Sequence, residues 1–230
     1  MKKTEFDNFA DEYLATLSAS IAIAGDGPEY YAEYKIKDMR REMQGIDPAN
    51  LRLLDFGAGV GSSIPHIGKH FAGANLACLD VSSRSLDVAS ERFPGAATYH
   101  IFDGKTIPFP DASFDCVFAA CVFHHIDKSL HVGLISEIKR VLKAEGLLFI
   151  FEHNPRNPIT RRIVRECPFD ENAVLIDAED LVSILKDVGF KSQMVRYRVF
   201  FPSWLKWLRW MEMKMTSIPL GAQYYVKCKK

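Results

Sequence analysis

The stretch Leu53-Leu-Asp-Phe-Gly-Ala-Gly-Val-Gly-Ser62 decides the fold of this chain. It overlaps a short apolar run, Leu51 to Phe56, whose length suits one buried strand. Three glycines follow, and apolar residues then recur at helical spacing from Ile64 onward. Glycine permits positive φ and lets a ligand approach the main chain closely. The stretch therefore predicts a strand, a glycine turn and a helix whose free N–H groups receive a ligand.

The spacing of the glycines and the charge before them indicate the kind of ligand. A dinucleotide fingerprint has the order G-x-G-x-x-G, whereas here the order is G-x-G-x-G and position 62 is Ser. Asp55 precedes the turn, where a carboxylate would repel a pyrophosphate and attract a cation. The turn is thus predicted to bind a ligand with positive charge, and an NAD-dependent oxidoreductase is the weaker alternative.

Composition narrows the class of protein. The 230 residues contain 29 Lys and Arg against 29 Asp and Glu, so no basic field favours nucleic acid. The five cysteines are odd in number and form no C-x-x-C pair, so neither a disulfide framework nor a metal site is expected. The start of the sequence lacks an apolar signal segment, and no run is long enough to cross a bilayer. These features predict a soluble, cytoplasmic protein.

Strand-like runs alternate with helical patterns along most of the chain, which is typical of a parallel, doubly wound α/β sheet. The predicted strands are residues 51–56, 74–79, 98–102, 114–123, 147–151, 191–201 and 222–228. In such sheets ligands bind at the carboxyl ends of the strands. The polar residues expected at that edge are Asp80, Asp103, His124, His125 and His153.

Two of these carboxylates have both a functional and a structural interpretation. Asp80 stands about twenty residues after the glycine turn, where an acidic residue can accept both ribose hydroxyls of a nucleoside. The alternative is a surface aspartate at a strand end. Asp103 follows the third strand, and its alternative is a residue that caps its own turn.

The glycine turn closely resembles motif I of the class I S-adenosylmethionine-dependent methyltransferases. The resemblance implies a Rossmann-like fold of seven strands, mostly parallel, whose last strand enters antiparallel between the fifth and the sixth. It implies S-adenosyl-L-methionine as cofactor and S-adenosyl-L-homocysteine as product. Asp80 would bind the ribose and Asp103 the adenine amino group, with Phe102 and Gly104 beside the ring. The implied cofactor-binding residues are Tyr13, Asp55, Gly57, Ala58, Gly59, Gly61, Asp80, Val81, Phe102, Asp103, Gly104 and Cys121.

The N-terminal residues are predicted to form a helical lid over this cofactor. The pattern Phe6-Asp-x-x-Ala-x-x-Tyr13 resembles the N-terminal segment of many small-molecule methyltransferases, in which the tyrosine can close over the cofactor. We expect one domain over 1–230. It comprises a lid at 1–48, a cofactor-binding core at 49–155 and a C-terminal half at 156–230 with a helical insertion at 202–219.

The chemistry implied is methyl transfer to an oxygen or nitrogen atom, less readily to carbon, of a small-molecule, sugar or lipid-linked acceptor. Such an acceptor must lose a proton, and histidine suits that task at neutral pH. The candidate bases are His125 and His153, and the alternative for each is a structural role. A non-catalytic domain that binds the cofactor as a sensor or partner subunit is the alternative function.

The insertion between the last two strands has an unusual pattern. On an α-helix over Pro202–Met215, Trp204 and Trp207 share a side that most simply faces the core, while Trp210 projects on the other side among basic residues. Interleaved aromatic and basic groups favour peripheral membrane contact or a lipid-linked, anionic acceptor. The alternative is burial by the lid or in a homodimer; both a monomer and a homodimer are compatible with the sequence.

Overall fold

The computed structural model describes residues 25–230, except the side chain of residue 169, and their strands form one seven-stranded sheet. The strands are β1 (Arg52–Phe56), β2 (Asn75–Asp80), β3 (Thr98–Ile101), β4 (Phe114–Ala120), β5 (Leu142–His153), β6 (Lys191–Arg198) and β7 (Gln223–Lys229). Their order across the sheet is β3-β2-β1-β4-β5-β7-β6. β7 pairs antiparallel with β5 and β6, and the other neighbours pair parallel. The predicted doubly wound sheet with its antiparallel last strand is confirmed.

Helices connect these strands. The α-helices are α1 (Pro28–Glu42), α2 (Ile64–His70), α3 (Ser83–Arg92), α4 (Lys128–Val141), α5 (Pro158–Glu166), α6 (Ala178–Asp187) and α7 (Glu212–Met215). Three 3-10 helices cover Phe123–His125, Pro168–Asp170 and Ser203–Met211. Within residues 25–230 no helix is both long and apolar enough to span a bilayer.

The central strands are buried on both faces, as their uninterrupted apolar runs predict. Along β1 the side chains alternate, so Leu54 and Phe56 pack in one core cluster and Leu53 packs in the other. The two clusters lie on opposite faces of the sheet and fix the register of β1 between β2 and β4. After β1 the chain continues to β2 on one side of the sheet, and after β4 it continues to β5 on the other side. Because the connections diverge from these two neighbouring strands, a crevice opens between the carboxyl ends of β1 and β4.

The predicted fourth strand is too long by three residues. The backbone leaves the sheet at Cys121, whose φ is 61°, and enters the 3-10 helix Phe123–His125. Val122 and Phe123 remain buried, which explains why the apolar run continues. Their N–H groups bond to the side chain of Glu152 rather than to a neighbouring strand.

The insertion is helical, as predicted, but the core-facing orientation predicted for Trp204 and Trp207 is wrong, whereas Trp210 projects outward as predicted. Trp204, Trp207 and Trp210, called here the tryptophan stripe, are 71%, 68% and 68% exposed. The segment is a 3-10 helix, in which residues three apart share a side, although Leu205 departs from helical geometry. The core contact comes instead from Glu212, which is buried and accepts N–H bonds from Phe200 and Phe201.

The structure describes only the second part of the predicted lid, from residue 25 onward. The predicted lid segment with Phe6 and Tyr13 lies outside the described residues. α1 forms the described part of the predicted lid region, and its Asp38 is buried in an ion pair with Arg198 at the end of β6. Its Glu42 binds Lys227 of β7 at 3.0 Å. α1 therefore packs on the C-terminal strands, and its action as a lid stays a prediction.

Candidate functional site

A cavity of about 610 Å³ lies at the carboxyl ends of β1, β4 and β5, within the size range of small-molecule sites. We call it the strand-end cavity. α1, α5 and the insertion complete its walls. Of the predicted site residues, those that line it are Asp55, Gly57, Ala58, Gly59, Asp80, Cys121, His125 and His153. The sheet topology thus brings together residues from four separate strand ends, those of β1, β2, β4 and β5.

The three glycines of the turn all have positive φ, but their surroundings differ. A Cβ at Gly57 would lie 2.5 Å from Val122 Cγ2, and one at Gly61 would lie 2.7 Å from Ile64 Cδ1. A Cβ at Gly59 would meet nothing within 4 Å. Gly57 and Gly61 are therefore required by packing. Gly59 leaves the main chain open toward the cavity, which is what close approach of a ligand needs.

Asp55 at the end of β1 is a buried carboxylate with an unused oxygen. It is 2% exposed, and its Oδ2 has no hydrogen-bond partner among the described residues. Burial, and then the neighbouring Asp80, raise the pKa of Asp55 to about 8. A buried polar atom without a partner is costly, so this oxygen fits a cationic hydrogen-bond donor in the cavity.

Asp80 at the end of β2 holds the glycine turn in place. Its Oδ2 accepts the N–H of Gly59 at 2.8 Å and its Oδ1 accepts that of Ser82 at 2.9 Å. The carboxylate also lines the cavity next to the turn. The structure therefore places Asp80 beside the predicted ligand, while its bond to a ribose stays a prediction.

Three residues predicted at the adenine end, Phe102, Asp103 and Gly104, do not line the cavity, and neither does Val81, which was predicted to bind the cofactor. Gly61 is outside the lining as well. The Oδ1 of Asp103 accepts the N–H groups of Lys105 and Thr106, both at 2.8 Å, so the carboxylate caps its own turn. The ring of Phe102 packs 5.5 Å from that of Phe56, between centroids. The adenine-binding role of these residues stays a prediction.

The opposite side of the cavity holds a histidine–carboxylate cluster, formed by His124, His125, Glu152 and Asp170. Nδ1 of His124 lies 2.5 Å from Glu152 Oε2, and its Nε2 lies 3.5 Å from Asp170 Oδ1. Nε2 of His125 lies 3.4 Å from the same Asp170 oxygen. Glu152 is fully buried, and its Oε1 accepts the N–H groups of Val122 and Phe123 at 3.1 and 2.8 Å.

Charge is distributed unequally within the histidine–carboxylate cluster. Burial disfavours the protonated form of His124, but the interactions with Glu152 and Asp170 together have a larger effect and raise the pKa of His124 to about 10. Burial and then the charge on His124 lower the pKa of His125 to about 3. The imidazoles lower the pKa of Asp170 to about 2 against the effect of burial. Both carboxylates are therefore ionised, and His124 carries the positive charge of the cluster.

His153, at the end of β5, lines the cavity beside this cluster. Its ring centroid is 5.1 Å from that of His124, and its Nδ1 is 3.4 Å from Gln223 Nε2. Burial opposes ionisation of Cys121, yet Lys35 and His153 lower the pKa of this thiol to about 7. The side chains converge here because β4, β5 and β7 are neighbours in the sheet.

Sequence reasoning missed four polar residues of the cavity. Lys35, Glu152, Asp170 and Gln223 received no role, and each lies in or against the site. Asp170 follows α5 in a short 3-10 helix, where no periodicity or spacing marks it. Glu152 ends an apolar strand beside His153, and a buried charge at that point was the available signal.

Comparison with known proteins gives one matching family model. Residues 54–150 match the model described as a methyltransferase domain. The chain is 32% identical over 178 residues to the sterol 24-C-methyltransferase of Yarrowia lipolytica, covering 70% of this chain and 42% of that protein. It is 30% identical over 118 residues to the 2-methyl-6-phytyl-1,4-hydroquinone methyltransferase of a Synechocystis strain, covering 49% of this chain and 36% of that protein. The chain thus spans less than half of these curated relatives.

Solved structures share the fold at low identity. A possible histamine N-methyltransferase from Thermotoga maritima superposes with a TM-score of 0.70 at 18% identity, covering 99% of both chains. A methyltransferase from Archaeoglobus fulgidus gives a TM-score of 0.66 at 18% identity over 86% of this chain and 94% of the other. At this identity the likeness establishes the fold alone.

Proposed function

We propose that this chain, which carries a class I S-adenosylmethionine-dependent methyltransferase domain at residues 54–150, methylates an oxygen or nitrogen atom of an amphiphilic, lipid-linked acceptor. One observation carries the proposal. The strand-end cavity joins a buried carboxylate with one unpartnered oxygen, beside a glycine turn, to a group of imidazoles on its other side. The end with the carboxylate and the glycine turn suits the cofactor. The side with the imidazoles suits a polar acceptor atom that must lose a proton.

The residues at the end with the glycine turn fit the cofactor. S-adenosylmethionine supplies, when bound, a methyl group already activated by its sulfonium. Asp55 Oδ2 would accept a hydrogen bond from the ammonium, and the open space at Gly59 would admit the adjoining chain. Asp80, fixed by its bonds to Gly59 and Ser82, would stand at the ribose.

The pKa of Asp55 gives this arrangement a pH dependence. An ammonium prefers the ionised carboxylate, and the pKa of about 8 leaves Asp55 mostly protonated at neutral pH in the free protein. We expect the cofactor's dissociation constant to fall by up to about tenfold per pH unit as the pH rises toward that pKa, and then to level off. Calorimetry should also detect proton release on binding below the pKa. Asp55→Asn should bind weakly with a flat profile; an equally steep profile in that variant would contradict the assignment.

His153 is our proposed general base. It lines the cavity with Cys121 and Gln223, and its ring lies beside that of His124 in the histidine–carboxylate cluster. Its position lets it reach an acceptor atom that approaches the methyl group from the cluster side. The surrounding walls are largely apolar, with Ile159, Ile163 and Phe200, so they exclude water from the reacting atoms.

The mouth of the cavity supports an amphiphilic acceptor. Trp204 both lines the cavity and is 71% exposed, and Ile159 on α5 lines it while 57% exposed. The exposed cations Arg161 and Lys206 form no ion pair within the part of the chain that the structure describes. Aromatic side chains interleaved with cations favour the surface of an anionic membrane, from which a lipid-linked acceptor would enter. The sterol and hydroquinone acceptors in the relatives' names are amphiphiles too.

Labelled methyl transfer to acceptors in anionic vesicles tests the proposal. We expect product in the lipid fraction, with the new methyl on oxygen or nitrogen by mass spectrometry.

The Trp204→Ala, Lys206→Ala double variant should weaken vesicle sedimentation and raise KM without changing cofactor affinity. The matched control Val132→Ala, Lys128→Ala alters an exposed apolar residue and a cation on α4. It should leave vesicle sedimentation and KM unchanged. A carbon-methylated product would correct the acceptor atom. Cofactor binding without turnover would favour a non-catalytic partner subunit.

A further inference from the structure

We propose that His124, His125 and Asp170 form a divalent-metal site, best suited to Zn²⁺, whose open coordination position faces the acceptor side of the strand-end cavity. The sequence predicts no metal because these ligands show no motif spacing. The fold brings them together: His124 and His125 follow β4, and Asp170 follows α5.

Two of the three distances between ligand atoms match a tetrahedral metal, and the third is within 4.8 Å. One nitrogen of each histidine and one oxygen of Asp170 all lie within 4.8 Å of one another. The two histidine–Asp170 separations, 3.5 and 3.4 Å, exceed the usual N–H···O hydrogen-bond distance of about 2.7–3.2 Å. Zinc bonds of about 2.0–2.1 Å place the ligand atoms of a tetrahedron about 3.3–3.4 Å apart. An octahedral magnesium ion would need neighbouring ligands about 2.9 Å apart.

The groups behind these ligands have the arrangement expected around a metal. A metal-bound histidine commonly donates its second ring N–H to a carboxylate, which fixes the ring and its tautomer. Glu152 occupies that position at Nδ1 of His124, 2.5 Å away. Its other oxygen is held by two backbone N–H groups, so the Nε2 of His124 is directed toward Asp170.

The charges of the surrounding groups suit a divalent metal, and one side of the site opens into the cavity. Metal binding would displace the proton of His124, so two neutral imidazoles and the Asp170 carboxylate would leave one positive charge on a divalent metal complex, and the fully buried Glu152 would balance it. All three ligands line the cavity, so a fourth ligand would come from the cavity itself. Three protein ligands and an open position are typical of catalytic rather than structural zinc sites. Lowering the pKa of an acceptor hydroxyl is the use we infer, and this use rests on the proposed function.

Metal binding by the full chain, measured without cofactor or acceptor, tests the site separately from methyl transfer. After chelator treatment and dialysis, we expect one Zn²⁺ per chain by competition with a chromogenic chelator. Co²⁺ should give the intense visible bands of a tetrahedral complex. His125→Ala and Asp170→Asn should each weaken zinc binding by more than about 100-fold, and Glu152→Gln by about 10–100-fold.

The control is His66→Ala, which removes a histidine of α2 that pairs with Glu29 at 3.0 Å. It should retain full zinc binding, and circular dichroism with a thermal unfolding curve should verify that each variant is folded. Zinc binding that is unchanged in His125→Ala and Asp170→Asn would overturn the proposal. So would wild-type protein that binds no zinc, or whose Co²⁺ spectrum lacks tetrahedral bands. In those cases the groups form a hydrogen-bonded cluster with the proton on His124.

Discussion

Gly59→Val is expected to weaken S-adenosylmethionine binding by at least about 100-fold, or roughly 2.7 kcal/mol. A Cβ at this position enters open space at the wall of the strand-end cavity, so the added side chain occupies the passage proposed for the cofactor. The φ of 51° adds backbone strain to this steric effect. Calorimetry with the cofactor and with its demethylated product measures the loss directly.

Gly95→Val is the matched control for this substitution. Gly95 has a φ of 73°, has nothing within 4 Å of its Cβ position and does not line the cavity. It should show a comparable loss of thermal stability and unchanged cofactor affinity. Equal loss of binding in both variants would attribute the effect to backbone strain, and an unchanged affinity in Gly59→Val would place the cofactor elsewhere. Gly57 is less suitable for the test because its Cβ would clash with Val122.

His153→Asn is expected to lower the rate of methyl transfer by about 10²–10⁴-fold while cofactor affinity persists. Asparagine keeps a polar side chain of similar reach but cannot accept a proton at neutral pH. His153 is only partly buried and is bonded to Gln223, so the substitution leaves the core intact. Single-turnover measurements with saturating cofactor separate the chemical step from binding and release.

His100→Asn serves as the control because His100 lies on β3, bonds to Thr98 and does not line the cavity. It should leave the rate unchanged. A near-wild-type rate in His153→Asn, together with a collapse in His125→Asn, would transfer the role of base to His125. Zinc content must be measured alongside, since the His125 variant would also lose a proposed metal ligand.

The sequence by itself determined the parts of the molecule that depend on local patterns. The glycine turn was predictable because Gly57, Gly59 and Gly61 occupy positive φ, which other residues disfavour. The sheet was predictable because buried parallel strands require continuous apolar runs. Convergence of Asp55, Asp80 and His153 on one edge followed from topology, since parallel strands end on the same side.

Tertiary structure alone decided the positions of segments and side chains that have no local sequence pattern. The apolar run after β4 continues through Val122 and Phe123, yet Glu152 captures their N–H groups and turns the backbone out of the sheet. The tryptophans share one exposed side because the insertion winds with about three residues per turn. Asp103 bonds its own turn instead of facing the cavity.

The histidine–carboxylate cluster is the clearest case of a feature set by tertiary structure. His124, Glu152 and Asp170 come from three separate segments, and only the order of β4 and β5 and the path after α5 join them. Their opposed pKa shifts arise from burial and from charges a few ångströms apart. Both causes depend on distances through space, because desolvation and Coulomb interactions are set by the folded environment and not by neighbours in sequence.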